Sequence, residues 1–264
     1  MTRSVSIEFA QPEDAEKLAD ISKRAFDSDI EVGASGPGGP PEYDSIEAHR
    51  RDTGLEQTDY WKIIFNGQIV GGMRVFRVTP EHCDIYGVFI DPDFHRQGIG
   101  SEFFRLIEIK YPQVKKWSLD TPIWNVRTKV FYEKLGFVQL GILRWVPDFD
   151  LRYYAKMTDK DFQLVTTKIS DLSPGLGGLR VEGVVQSIST TREVTSPMDG
   201  KRHHVANATL VDDTGSVILV LWNDQIRQIH EGERIRVEDA HVKEFNGQLQ
   251  LSLERGGQLV ILQV

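Results

Sequence analysis

A chain of 264 residues is longer than one minimal domain and suits two ordinary ones, each large enough to bury its own core. With 40% hydrophobic and 27% charged residues, the composition is that of soluble globular protein, and no apolar run approaches the roughly 20 residues of a membrane span. Net charge is -8 and both halves are acidic when the chain is divided at residue 164, which excludes a basic arm and leaves nucleic-acid binding only to a local groove and to stacking.

The first residues lack the basic and apolar pattern of a secretory signal, and a lone Cys83 forms no internal disulfide, so a reducing cytoplasm is expected. Residues 4–10 alternate as a strand, and Pro12, Glu13 and Asp14 open a helix with Leu18, Ile21 and Ala25 at helical spacing. Residues 33–41, GASGPGGPP, read as a mobile loop, either a lid or a plain surface loop. A second short helix is expected over 42–54. Asn66-Gly67 then joins two strands of a hairpin, and residues 81–90 give a further strand. A glycine turn leads into a helix over 99–112, followed by a short strand at 116–121, a helix over 125–136 and two closing strands to residue 158. The sheet of this half is expected to be largely antiparallel.

Past residue 158 helical periodicity disappears. Five or so strands separated by Asp-Gly, Thr-Gly, Glu-Gly and Asn-Gly turns, with one short helix over 224–230, suggest a small barrel. The fold class is therefore α+β followed by an all-β barrel, with domains expected at 1–160 and 168–264.

The sharpest chemical feature is VFIDPDFHRQGIGSEFF, residues 88–104, an apolar strand, a Pro turn and a glycine pair opening a helix. Such a turn offers first-turn amides and the positive end of the helix dipole to an anion, with Arg96 as an added cation, although Gly-x-Gly before a helix also serves as a plain tight turn. The run His95-Arg96-Gln97-Gly98-Ile99-Gly100 resembles the pyrophosphate loop of the GNAT superfamily of N-acetyltransferases. His95 stands where that family usually has Arg or Gln, a departure that should weaken cofactor binding modestly. Further on, NVRTKVFYEKLGF resembles the second half of the same fold.

The resemblance implies acetyl-CoA as acetyl donor, with backbone groups of Val88 and Ile90 on pantetheine, the amides of Gln97, Gly98, Ile99, Gly100 and Ser101 on pyrophosphate, and Asn125 touching pantetheine. Tyr132 would protonate the departing thiolate; its alternative is a helix Tyr packed on the sheet. The general base is open among Asp84, Glu47 and Glu81, each also readable as a solvated carboxylate, with relayed water as a further option.

The C-terminal part resembles the simple single-stranded DNA binding proteins of archaea and their eukaryotic relatives, which have an OB fold. Asp-x-x-Pro-Gly, Asp-x-Thr-Gly-Ser, a Trp-x-Asp pair and a closing Arg-Gly-Gly carry the likeness. It places Trp222 and Phe245 on base-stacking positions, His241 where an aromatic is usual, and Ser252 at a position aromatic in some relatives, where it cannot stack. Arg255, with Arg192, Lys201 and Arg202, would face phosphates. A core Trp is the other reading of Trp222, and the run LVLW leaves its face ambiguous. His203 and His204 lack the further ligands of a metal site, so no metal is expected.

These likenesses imply an N-acetyltransferase acting on a primary amine, carrying an OB domain that binds single-stranded DNA or RNA. The alternative is a single-stranded nucleic-acid binding protein whose GNAT-like half is inert or senses the cofactor. A protein partner for the OB domain stays open as well.

Overall fold

The computed structural model of the chain describes residues 4–146, 149–159, 165–195 and 200–262, with the side chains of Val146 and Arg255 outside that description. The chain divides into two compact units, Met1–Val138 with Tyr154–Phe162, and Gln139–Tyr153 with Gln163–Val264.

In the first unit β1 (Val5–Phe9), β2 (Thr58–Phe65), β3 (Gln68–Thr79) and β4 (His82–Ile90) pair antiparallel in order. Asn66 and Gly67 both take left-handed φ, 50° and 82°, as a two-residue hairpin turn demands. α3 (Ile99–Lys110) carries the chain back across the sheet, so β5 (Lys116–Pro122) joins β4 in parallel. One face of the sheet, with Ile63, Met73, Val75, Ile85, Trp117 and Leu119, buries Phe103 and Ile107 of α3. Complete burial of each such side chain stabilises by about 1.5–3 kcal/mol, which fixes α3 and the turn before it. On the other face Tyr60 and Phe89 pack with Leu18, Ile21 and Ala25 of α1 (Ala15–Asp27).

α2 (Ile46–Asp52) is shorter than its sequence suggests, because Ser45 ends the preceding turns by capping the helix, its Oγ accepting from the Ala48 amide at 3.2 Å. The glycine-rich stretch before it folds onto α1. Phe26 and Tyr43 meet edge to face at 5.7 Å, and Gly39 lies so close that a Cβ there would stand 2.7 Å from the Tyr43 ring. α4 (Val126–Lys134) precedes β6 (Val138–Val146) and β7 (Phe149–Met157), and β7 lies beside β5.

In the second unit five strands close on themselves: β8 (Leu179–Ile188) pairs β10 (Arg202–Val211), β10 pairs β11 (Ser216–Trp222), β11 runs parallel to β13 (Gln248–Ile261), β13 pairs β12 (Arg234–Phe245), and β12 returns to β8. The ring is a five-stranded barrel filled by Val181, Leu210, Leu219, Leu221, Val237 and Leu251. A short β9 (Arg192–Thr195), not foreseen from the sequence, adds to β10. The helix expected over 224–230 is instead a 3-10 turn, Asn223–Arg227. Within this unit Leu143, Leu151 and Tyr153 of the β6–β7 hairpin pack with Val260 of β13. Among the described residues no helix is long and apolar enough to cross a membrane.

Candidate functional site

β4 and β5 pair only from His82–Lys116 to Ile85–Leu119; beyond that, no further β4–β5 pair forms among the described residues. The separation coincides with a bulge. Gly72 pairs Phe89 and Arg74 pairs Tyr86, so Gly87 and Val88 together face Met73, and Gly87 adopts φ 61°. Asp91 donates its amide to Val70 at 2.8 Å, so the strand's alternation points Phe89 and Asp91 at β3 and turns the backbone polar groups of Val88 and Ile90 toward the open edge. One of these groups is already engaged. The ring of His95 lies 2.8 Å from the Ile90 carbonyl, and a carbonyl only accepts, so Nε2 carries the proton.

The edge leads to the start of α3. Arg24 of α1 forks onto Asp91 at 2.5 and 2.8 Å, and Asp91 accepts the Asp93 amide at 3.2 Å, which holds the turn from both sides. Arg96 and Gly98 are both left-handed, at φ 59° and 81°. Among the described residues the amides from Arg96 through Ser101 have no protein acceptor, so six consecutive donors stand at the positive end of α3. The two glycines differ in purpose. Open space surrounds Gly98, which is needed for its dihedral angle, whereas a Cβ on Gly100 would meet the Phe131 ring at 2.9 Å, so Gly100 lets α3 approach α4. Ile99 contributes only its amide, since its side chain is in the core. Arg96, Gln97 and Ser101 are exposed.

Tyr132 of α4 is 7% exposed among Phe104, Phe131, Phe137 and Tyr154. Burial pushes its hydroxyl pKa well up, and negative charge on Asp120 and Asp29 adds to the rise, so the group stays protonated. Among the described residues nothing hydrogen-bonds it, leaving a donor unspent. Asn125 is buried and differently employed: its Oδ1 accepts the Thr128 amide at 3.1 Å as the cap of α4, and its Nδ2 donates to Asp29 at 3.1 Å. One amide hydrogen and one lone pair of Oδ1 are left for a ligand.

On the outer face of the barrel, β11 alternates Val217, Leu219 and Leu221 inward, so Trp222 points out, 41% exposed. Phe245 is 59% exposed at the end of β12. Ile218 pairs Gln250, which pairs Lys243, so Trp222 lies four residues and Phe245 two residues from that line in opposite directions, about 20 Å apart along the strands. His241, partly exposed, is paired with Ser252 between them. His203 meets the Trp222 ring edge to face at 6.3 Å, a neighbour the sequence pattern did not reveal. The side chain of Arg255 lies outside the described residues.

Residues 56–139 match the family model described as acetyltransferase (GNAT) domain, and residues 178–261 the one described as single-stranded DNA binding protein Ssb-like, OB fold. The chain joins a GNAT domain to an Ssb-like OB domain. It is 34% identical over 80 residues to the uncharacterized protein YrkN of Bacillus subtilis, covering 29% of this chain and 43% of that one. It is 32% identical over 85 residues to the single-stranded DNA binding protein Ssb of Saccharolobus solfataricus, covering 32% and 56%. The chain thus spans about half the length of the curated relatives it matches. Among solved structures, the ribosomal-protein-S18-alanine N-acetyltransferase of Escherichia coli is 19% identical, with 61% of this chain and 100% of that one covered and a TM-score of 0.47.

Within the GNAT domain the three carboxylates read as bases are in unlike surroundings. Glu47 is exposed on the first turn of α2 with only the Ser45 hydroxyl, 3.3 Å away, and Glu81 is exposed and paired to Lys115 at 2.7 Å. Asp84 sits where β4 and β5 are about to part. Enclosure by protein, then the negative charge of Asp120, push its pKa up to about 7, against the pull of the Ser118 hydroxyl donated at 2.6 Å. Asp120 opens onto the gap yet is ringed by protein, which raises its pKa to about 6. Burial likewise pushes the Cys83 thiol up to about 12, which suits an inert core residue. Ser118, Asp120, Asp29 and Arg74 are the residues the sequence reading left without roles. A charged Arg74 inside the apolar run GGMRVF was the one available signal among them.

Proposed function

We propose that the GNAT domain transfers the acetyl group of acetyl-CoA to a primary amine, and that the OB domain binds single-stranded DNA or RNA. The observation that carries the first part is the β4–β5 gap, with Asp84 at its start poised near neutral pH and six unspent amides at α3 beyond it; Tyr132, a protonated donor, lies within electrostatic reach of Asp120 on β5.

The amides from Arg96 to Ser101 suit a pyrophosphate, and the outward backbone groups of Val88 suit an amide of pantetheine. Bound there, acetyl-CoA supplies an activated acetyl thioester. Asp84 accepts the proton that an ammonium must lose before its nitrogen can attack, and Tyr132 gives a proton to the sulfur as the C–S bond breaks. A C–N bond replaces the C–S bond, the second proton of the nitrogen leaves as the amide forms and passes through water to the tyrosinate of Tyr132, and Asp84 returns its proton to water. The lone buried cysteine is in keeping with a reducing, acetyl-CoA-supplied compartment such as the cytoplasm.

For the OB domain the support is the pair of exposed aromatics, Trp222 and Phe245, on one outer face. Aromatic stacking tolerates any base and needs no large positive field, which fits an acidic chain. The test of the enzymatic part is amine-dependent thiol release from acetyl-CoA across a panel of amines, with Tyr132→Phe alongside. Cofactor binding without turnover of any amine class would favour a nucleic-acid binding protein with a cofactor-sensing GNAT domain.

A further inference from the structure

The sheet face that carries Asp84 also carries an arginine whose terminal nitrogens have nothing to hold. Thr58, Phe76, Asp84 and Ser118 form one rung across β2, β3, β4 and β5, and Tyr60, Arg74 and Tyr86 form the next. The Arg74 guanidinium lies 4.4 Å from the ring centre of Tyr60 and 5.9 Å from that of Tyr86, and its side chain is only 8% exposed. Nε donates to Asp52 at 2.7 Å. One terminal nitrogen reaches under the β4 bulge, 2.8 Å from where a Cβ on Gly87 would be.

Among the described residues neither terminal nitrogen of Arg74 has a hydrogen-bond acceptor. Neither is sealed off, because the fully enclosed side-chain atoms without partners belong to Ser22, Trp117, Arg180 and Asn207. A cation nine-tenths buried with four idle N–H groups and access to solvent is built to meet an acceptor. Asp52 does not fill that need, since its second oxygen is taken by Arg51 at 3.2 Å. The tyrosines and Asp52 hold the guanidinium in one place, and the fork of its two terminal nitrogens matches the two oxygens of a carboxylate.

We infer that Arg74 binds the carboxylate of the acceptor, so that the acceptor is an amino acid or similar amino-carboxylate. The inference rests on the acetyltransferase reading. Asp84 is one rung away, about 7 Å along the strand, so the group losing its proton and the group held by Arg74 are separated by a small molecule's length. Charge supports the same choice. Asp84 and Asp120 face the ammonium of a zwitterion while Arg74 faces its carboxylate, and Arg74, already half balanced by Asp52, matches a monoanion better than a phosphate dianion.

The test offers the full chain, with acetyl-CoA, the common amino acids as free acids and as their carboxamides, which keep the amine and lose the anion. Wild type, Arg74→Gln and Arg74→Lys are compared by kcat and KM, and binding of each amino acid to the CoA-loaded protein is measured by calorimetry. The expected result is that at least one free acid outperforms its carboxamide by about 10- to 100-fold, chiefly in KM. Arg74→Gln should cost the free acid about 10-fold more than its carboxamide and so remove that preference, and Arg74→Lys should restore part of it. Equal use of acids and carboxamides by wild type, or equal losses for both in Arg74→Gln, overturns the inference. Should no amine turn over, the acetyltransferase reading fails by itself, and calorimetry decides the carboxylate site: binding of no amino acid, or binding unchanged in Arg74→Gln, overturns it.

Discussion

Ser118 donates its hydroxyl to Asp84 at 2.6 Å, across the paired stretch of β4 and β5 just before the strands part, and His82 stands 2.7 Å from the same hydroxyl. The bond fixes the Asp84 side chain, while enclosure and Asp120 keep its pKa up to about 7. Below that pH Asp84 is a neutral acid and takes no proton from an amine. The kcat/KM of acetyl transfer should therefore rise through pH near 7, and Asp84→Asn should flatten that limb and lower the rate by about 10²- to 10⁴-fold. A wild-type profile flat across that range would remove Asp84 from the role of base.

The same raised pKa shapes stability. The folded value of about 7 lies above the ordinary aspartate value of 3.8, so the native state holds the extra proton between them. The group's stabilising contribution is complete below pH about 4 and is lost as pH rises through about 7. Asp84→Asn cannot ionise, so it should raise the melting temperature at pH 8 and lose that advantage toward pH 4. Thermal scans at the two pH values check this, and an equal loss at both would show that the carboxyl is not strained there.

Tyr132→Phe removes one oxygen from an aromatic cluster and leaves the packing. It should cut thiol release by about 10²-fold or more with CoA affinity unchanged. A loss in affinity with kcat intact would make Tyr132 a packing residue.

The glycines of the turn should separate in their effects. Gly98→Ala meets no neighbour but must hold a left-handed φ, at about 1–2 kcal/mol, and should weaken CoA binding more than folding. Gly100→Ala drives a methyl into the Phe131 ring and should destabilise the domain by about 1–3 kcal/mol. Urea unfolding together with CoA titration distinguishes the two.

On the OB domain, Trp222→Ala and Phe245→Ala should each cost about 1–3 kcal/mol of oligo-dT binding. Quenching of tryptophan fluorescence should weaken with salt and vanish with Trp222→Ala. Unchanged affinity in both variants would favour a protein partner for this face.

The features legible in the sequence are local ones. Asn66-Gly67 names its own turn, and the glycine pair at 98 and 100 announces the start of α3, because dihedral demands are set within a few residues. Trp222 resisted assignment because the apolar run before it has no period; the barrel supplies one by burying Leu219 and Leu221. Asp84, Ser118 and Arg74 become neighbours only through the register of four strands, and register depends on pairings distant in sequence. Asn125 caps the start of α4, a local role, yet its engagement with Asp29 joins residues nearly a hundred positions apart.

The measurement closest to the central claim is free-thiol release from acetyl-CoA by the full chain, followed with and without each amine class in wild type, Asp84→Asn and Tyr132→Phe. Wild type should release thiol in an amine-dependent manner, and the release should fall in both variants while CoA still binds. CoA binding without amine-dependent release, or release unaffected by either substitution, would contradict that claim.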